Sequence, residues 1–286
     1  MSVKKELTFR LKDGNCRLQA VRDNIIKCSF TKKEEWTDES PIGICCSSEA
    51  DFTAEEDGKK VKIRTGQIIL EADCTGGTFC WRDAADEHVL LREGRKELTE
   101  APYMVYNTGD EAPVIHRVQT VDGERNFVKN LRAVEDHKAY HGKLCFLWEP
   151  DEHIHGLGQG EEGIYDYRGN VQYLYQHNMR IPIPFFVSDK GYGILVDCGS
   201  LMYFNDDCRG SWLYLDMVEQ LDYYFIKGDS LDEIIAGYRL LTGKAVMLPK
   251  WAFGYVQSKE AYLTQKEMEE TAEKYRELDI PLDCLV

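Results

Sequence analysis

The chain has 286 residues, 43% of them hydrophobic and 30% charged, which is globular usage and excludes a long disordered tract. Fifty acidic residues against 35 basic ones leave a net charge of -15, a surface that repels nucleic acid and anionic membranes. Such a surface fits a neutral or cationic ligand, although solubility alone also accounts for it.

From the start to about residue 230 the pattern is that of a β protein. Short runs of β-branched and aromatic residues recur between Gly, Asp and Asn. Val61-Lys62-Ile63 and Gln67 to Ala72 come first, and Thr75-Gly76-Gly77-Thr78 is expected to be a hairpin turn. Gly193 to Asp197, Ser211 to Leu215 and Leu221 to Ile226 follow. Many short strands with few helices predict a sandwich of antiparallel sheets.

The pattern then changes. Ser230-Leu231-Asp232-Glu233 is a capping box, with Ile234, Ile235, Tyr238 and Leu241 at helical spacing and Gly243 as the stop, so a helix is expected over 231–242. Pro249 marks a linker. Trp251 to Val256 is a nearly continuous apolar run, which predicts a strand covered on both faces as in a parallel barrel. A second capping box, Thr264-Gln265-Lys266-Glu267, opens a helix with Met268, Ala272, Tyr275 and Leu278 on one face. Leu282 to Val286 reads as another buried strand with no turn or polar tail behind it, so the expectation is the front part of a longer protein. Strand, loop, helix and strand make one βαβ unit, with the loop Gln257 to Leu263 at the end that carries active sites in α/β barrels.

The ten cysteines contain no CxxC pair and no Cys/His cluster with zinc spacing, and read as small core residues of a reducing compartment. Met1 to Glu6 lacks the apolar stretch of a secretory leader, and no segment approaches the ~20 apolar residues of a membrane span. A cytoplasmic location and no membrane or nucleic-acid partner are therefore expected, with no cofactor and no metal.

Residues 156–286 resemble glycoside hydrolase family 31, the α-glucosidase and α-xylosidase family. The resemblance is carried by Gly156-Leu157-Gly158-Gln159, Ile183 to Ser188, and Gly191 to Asp197. Tyr238 to Lys244, Pro249 to Tyr255, Gln257-Ser258-Lys259 and Tyr262 continue it, and their order and spacing together are specific. Residues 50–100 resemble the family's early sandwich strands less specifically. The resemblance implies a mutarotase-like antiparallel β-sandwich over 1–245, ending in the helix at 231–242. At 246–286 it implies the first βα unit of a truncated (β/α)8 barrel. It also implies retaining hydrolysis of α-linked glucosides or xylosides by two aspartates roughly 5 Å apart. No residue of this chain matches either aspartate motif, so no catalytic residue is assigned, the fragment alone is expected to be inactive, and the aspartates are expected beyond residue 286. An α-linked oligosaccharide is the implied partner, and self-association of the full-length protein stays open.

Two segments are candidates for substrate contact. Lys259, Glu260 and Tyr262 lie in the loop after the first barrel strand, where Tyr262 matches the family's aromatic wall residue. A tyrosine ring can pack on a sugar's C–H face with its hydroxyl in water, but packing of the strand-to-helix turn is an equal reading. Glu260 reads as a first-turn surface charge. In the loop Tyr173 to Met179, Asn178 stands where many members carry a sugar-binding Asp, and its amide can still donate and accept. His177 is a candidate contact beside the alternative of a loop histidine bonded to backbone, and Gln159 either supports this loop or is part of a structural turn. The acidic pairs Asp206-Asp207 and Glu161-Glu162 are expected to point opposite ways in extended chain, and Asp222 to cap or pair. A non-catalytic carbohydrate-binding sandwich is the alternative function. An aldose epimerase using Glu152 with His153 or His155 is a remoter one.

Overall fold

In a computed structural model, residues 2–37, 43–47, 50–120 and 123–286 are described. The chain divides into two compact units, one of Met1–Tyr103 with Glu135–Lys244, the other of Met104–Val134 with Ala245–Val286.

The first unit begins with β1 (Ser2–Lys4), β2 (Glu6–Leu11), β3 (Gly14–Arg22) and β4 (Ile25–Thr31). A meander follows: β5 (Phe52–Glu56), β6 (Lys60–Arg64), β7 (Ile68–Asp73) and β8 (Thr78–Asp83). Next come the long β9 (Val89–Asn107), the hairpin β10 (Ile115–Thr120) and β11 (Gly123–Val128), and the long β12 (Arg132–Leu147). The remaining strands are β13 (Ile154–Gln159), β14 (Val171–Leu174), β15 (Ile181–Ser188) and β16 (Tyr192–Val196). β17 (Met202–Asp207), β18 (Gly210–Val218) and β19 (Leu221–Lys227) complete the set.

Apart from β10 and β11, these strands form a ten-stranded sheet, β1-β5-β6-β7-β8-β9-β12-β18-β17-β14, and a seven-stranded sheet, β13-β15-β16-β19-β4-β3-β2. One apolar core draws from both, with Leu70, Trp81, Leu91 and Phe204 of the larger sheet and Leu18, Ile26, Tyr192 and Phe225 of the smaller. Trp81 stacks on Phe225 at 4.0 Å and 2°. The sandwich is thus mainly antiparallel β, as its alternating strands predict. Cys74 to Gly77 makes the turn between β7 and β8, where Asp73 Oδ1 accepts from the Thr75 amide at 2.9 Å.

The helix α1 (Leu231–Thr242) covers the outer face of the smaller sheet, burying Ile234 and Leu241 against Ile25, Phe185 and Ile226. Ser230 Oγ accepts from the Glu233 amide at 3.3 Å, while the Glu233 carboxylate accepts from Asp229 N at 2.8 Å, one residue earlier than a capping box requires. Ile235, expected on the packed face, is 39% exposed. The stripe is narrower than the apolar spacing suggests, because Gly237 rather than a side chain meets Ile226.

In the second unit, β10 and β11 pair with each other. The segment after Lys244 holds a 3-10 turn at Lys250–Phe253, then β20 (Val256–Gln257), α2 (Gln265–Glu277) and β21 (Cys284–Leu285). β20 and β21 are parallel, Val256 opposite Cys284, so the βαβ order holds. The expected strand over Trp251 to Val256 does not form. Gly254 N donates to Trp251 O at 3.0 Å, closing the turn, and Trp251 and Phe253 are exposed. A strand reaches only as far as a neighbouring ladder, and β21, also shorter than the apolar run suggested, is the one partner of β20 among the described residues. α2 follows its capping signal, Thr264 Oγ1 accepting from Glu267 N at 3.1 Å, yet Met268 and Leu278 of its apolar face are exposed and Ala272 and Tyr275 half-buried.

Candidate functional site

The Gly156 to Gln159 motif lies in β13, where the backbone is left-handed at three successive residues: Gly156 (φ 113°), Leu157 (φ 61°) and Gly158 (φ 87°). Across the ladder Gly156 faces Phe186 and Gly158 faces Pro182, so two residues of β13 answer four of β15. This bulge buries Leu157 in the core and sets Gln159 opposite Ile181, where the loop after β14 ends. Both readings of Gln159 thus meet at one place: it sits in a structural bulge, and the ladder ties it to the end of that loop.

That loop is held by its own backbone. Gln176 Nε2 donates to the His177 carbonyl at 3.2 Å and to that of Arg180, and Arg180 N donates to His177 O at 3.2 Å. The His177 carbonyl, rather than its ring, makes these backbone bonds. His177 lines a groove of about 500 Å³ with Tyr173, Tyr175, Arg180, Tyr203 and Glu162, its ring 6.3 Å from that of Tyr175. Asn178 is exposed and is not part of the groove wall. Tyr203, Arg180 and Glu162 carried no sequence signal for this place. Tyr203 arrives through the register of β17, where it stands opposite Tyr173, and such pairing over thirty residues leaves no local trace.

In the second unit, Lys259 and Tyr262 close their own loop. The Lys259 ammonium pairs with Glu267 and lies 5.0 Å over the Tyr262 ring, and Lys259 N donates to Val286 O at 3.3 Å. The hydrogen bond from Lys259, then that from Leu263 N, holds the Glu267 carboxyl below its usual range. One face of Tyr262 is therefore covered, and Glu260 is exposed.

The acidic pairs do other work. Asp206 turns inward, accepting from Arg168 Nε at 3.0 Å and Gly169 N at 2.6 Å, while Asp207 pairs with Arg209 at 2.7 Å on the other face. Asp222 accepts from Ser29 and, at 2.7 Å, from Gln220. Glu161 and Glu162 depart from expectation. The chain bends there instead of extending, and both carboxylates converge on Arg180, Glu162 in direct contact and Glu161 at 3.9 Å. Asp83, Asp86 and His88 bring ligand atoms within 4.8 Å of one another, but Asp83 already holds the Lys227 ammonium at 3.1 Å and His88 the Asp86 carboxylate at 2.5 Å. A cation would have to displace both.

Glu152 and its neighbouring histidines are not arranged as an acid–base pair. The buried Glu152 carboxylate accepts from Ser188 Oγ at 2.7 Å, Tyr192 OH at 2.5 Å and Glu149 N at 2.9 Å. His153 instead bonds Asp166 at 2.6 Å, and His155 the Tyr165 carbonyl at 2.5 Å. The hydrogen bond that His153 donates to the Asp166 carboxylate raises the His153 pKa. Burial raises that of Asp166, but the bonds from His153, Arg168 N and Ile154 N outweigh it and leave the carboxyl low. A raised histidine pKa gives stability that is present below the unfolded value of about 6.5 and lost as pH rises through the folded value. NMR titration should accordingly place His153 above about 6.5, and Asp166→Asn should bring it back toward that value. An unchanged midpoint in the variant would remove the pairing.

Comparison with known proteins agrees with this architecture. Residues 245–286 match the sequence model described as the glycosyl hydrolases family 31 TIM-barrel domain. An alpha-xylosidase of Saccharolobus solfataricus is 41% identical over 167 residues, covering 55% of this chain and 23% of the relative. Alpha-glucosidase 2 of Bacillus thermoamyloliquefaciens is 29% identical over 163 residues, covering 51% of this chain and 21% of its own length. The crystal structure of the family 31 alpha-xylosidase of Xanthomonas citri superimposes with a TM-score of 0.73 over 98% of this chain and 44% of its own, at 16% identity, and so speaks for the fold. The chain thus spans less than a quarter of the length of either of these two curated relatives. With the order of motifs, the sandwich and the match beyond Lys244 all in agreement, the chain is similar to glycoside hydrolase family 31 proteins, its residues 245–286 matching that family's barrel domain.

Proposed function

We propose that the whole protein is a retaining α-glycosidase acting on α-linked xylosides or glucosides, for which this chain supplies the sandwich and the first strand–helix–strand of the barrel. The observation that carries it is the 41% identity over 167 residues to an alpha-xylosidase, joined to a barrel-family match at 245–286. The acidic pairs considered above are each tied to an arginine or to backbone amides, so the hydrolytic carboxylates, about 5 Å apart in retaining enzymes, are assigned to barrel strands outside these residues. Asn178, His177, Lys259 and Tyr262 are the proposed substrate-contacting residues. A reducing, cytoplasmic setting belongs to the same proposal, supported by ten free cysteines, as does the absence of nucleic-acid and anionic-membrane partners, supported by the net charge of -15. Self-association of the whole protein is supported by exposed Tyr106, Ile115 and Phe127 in the second unit.

The test is an assay of the whole protein and of the 286-residue chain with nitrophenyl α-xyloside and α-glucoside. The expected result is hydrolysis of at least one by the whole protein, with retained anomeric configuration, and none by the shorter chain. Inversion, inertness of the whole protein toward both, or turnover by the shorter chain overturns it.

A further inference from the structure

We infer that the ribbon around the hairpin β10–β11 is an interface that joins two copies of this chain edge to edge. β9 and β12 run on past their last inward residues, Ala101 and Ala139, and among the described residues of 102–138 none is buried. The flanking strands stop earlier: β8 reaches along β9 only to Glu93, and β18 along β12 only to Tyr140. β10 and β11 pair with each other and have no further neighbour among the described residues. A two-stranded ribbon without a covered face is marginal in water, and its open edges offer unpaired amides and carbonyls to another strand. Its side chains suit burial: Met104, Tyr106, Ile115, Phe127, Leu131 and Val134 are each more than 40% exposed. By strand alternation Met104 and Tyr106 fall on one face of β9 and Tyr103 and Val105 on the other, the two-sided apolar pattern of a strand covered on both sides.

Charge selects the partner. The chain carries a net charge of -15, yet residues 104–134 hold four acidic and four basic residues. Two of those pairs close within the ribbon, Arg117 on Glu124 at 3.3 Å and Arg132 on Glu111. The whole net charge therefore lies elsewhere, and this segment is where a second copy of so acidic a protein meets no net repulsion. A second copy also brings the matching element, an open edge of the same length and apolar spacing, so a two-fold axis can pair an edge with itself. Antiparallel pairing of β11 about Asn126 sets Arg125 across from a second Phe127 and Glu124 across from a second Val128, so no like charges face each other. The cation of Arg125 then lies beside an aromatic ring, a favourable pairing at a strand edge.

The ribbon interface rests on the self-association reading of the whole protein and names where it occurs. Sedimentation equilibrium of the 286-residue chain and of the whole protein, from about 1 to about 100 μM, is expected to show monomer passing to dimer. Amide hydrogen exchange at 115–120 and 123–128 should slow at least about tenfold at the upper concentration, because the open edge becomes paired. Phe127→Lys puts a cation across from Arg125 and should weaken the dimer at least about tenfold. Phe127 is half exposed, so the variant should unfold with its parent and any loss is read as association. Trp251→Lys, at an exposed apolar residue of the barrel segment, should leave the dimer intact. A monomer at every concentration in both proteins overturns the interface, as does a dimer lost with Trp251→Lys instead. Ribbon amides already protected in a monomeric whole protein would show that its own chain covers them, and overturn it too. A whole protein that dimerises regardless of Phe127→Lys loses the ribbon and keeps self-association. The nitrophenyl assays bear on the glycosidase reading alone.

Discussion

Gly158→Ala is expected to destabilise the chain by on the order of 4 kcal/mol, a large part of the stability of an ordinary domain. Two costs add. At φ 87° an L side chain is strained by about 1–2 kcal/mol. The new Cβ would also lie 2.1 Å from Ile181 O and 2.6 Å from Ile183 N, both backbone atoms of the paired strand that cannot rotate away. Gly58 isolates the first cost. Its φ is 82° and a Cβ there meets nothing within 4 Å, so Gly58→Ala should cost only about 1–2 kcal/mol. Urea unfolding of both variants measures the difference, and equal losses would show that the close approach of β13 to β15 is not real. The damage should reach the groove, because the bulge fixes Ile181, where the Tyr173 to Arg180 loop ends.

The strands were legible where the chain shows its period. β6 alternates buried Val61 and Ile63 with outward neighbours, and β16 and β19 are apolar runs, and each is a strand. Both helices begin at their capping residues, since that chemistry is local. Trp251 to Val256 was misread because an apolar run records what a residue can bury, while a strand also needs a ladder beside it. The length of β9 was equally hidden. It buries residues as far as Ala101, but Tyr103 and Met104 are exposed, so the pattern that marks a strand fades before the strand ends.

The surroundings of the candidate residues were legible in outline only. The motif at Gly156 and the loop through His177 stand out in the sequence, because left-handed glycines and a polar loop leave local marks. The partner residues do not. Tyr203 joins Tyr173 through cross-strand register, and Glu161 and Glu162 share Arg180 because the chain bends at a point where composition alone suggests extension. Lys259 and Tyr262 are adjacent in sequence and in space, but their mutual contact, and the hold of Glu267 on Lys259, arise only when α2 brings its first turn back over the loop.

Glu93 should be among the most sensitive buried positions. Its side chain and that of Lys96 are fully buried inside the sandwich, with Glu93 Oε2 accepting from Lys96 Nζ at 2.8 Å and Tyr223 OH at 2.6 Å, and Oε1 from Trp81 Nε1 at 2.5 Å. Lys96 Nζ also lies 3.4 Å from the Phe79 ring centre. Three residues apart on a regular strand, the two would face opposite ways, so the burial alternation of β9 must break between them. Glu93→Gln keeps an acceptor for Trp81 or Tyr223 but leaves a buried ammonium without its counter-charge, at a cost of about 3–5 kcal/mol. The double variant Glu93→Gln with Lys96→Met removes that charge and leaves the amide oxygen in place. It should therefore be more stable than Glu93→Gln alone by at least about 1 kcal/mol, although it carries one more substitution. Urea denaturation with matched slopes decides the matter. If the double variant unfolds at the same or lower urea than the single, the pair contributes through packing, and the desolvated charge is not what makes Glu93 sensitive.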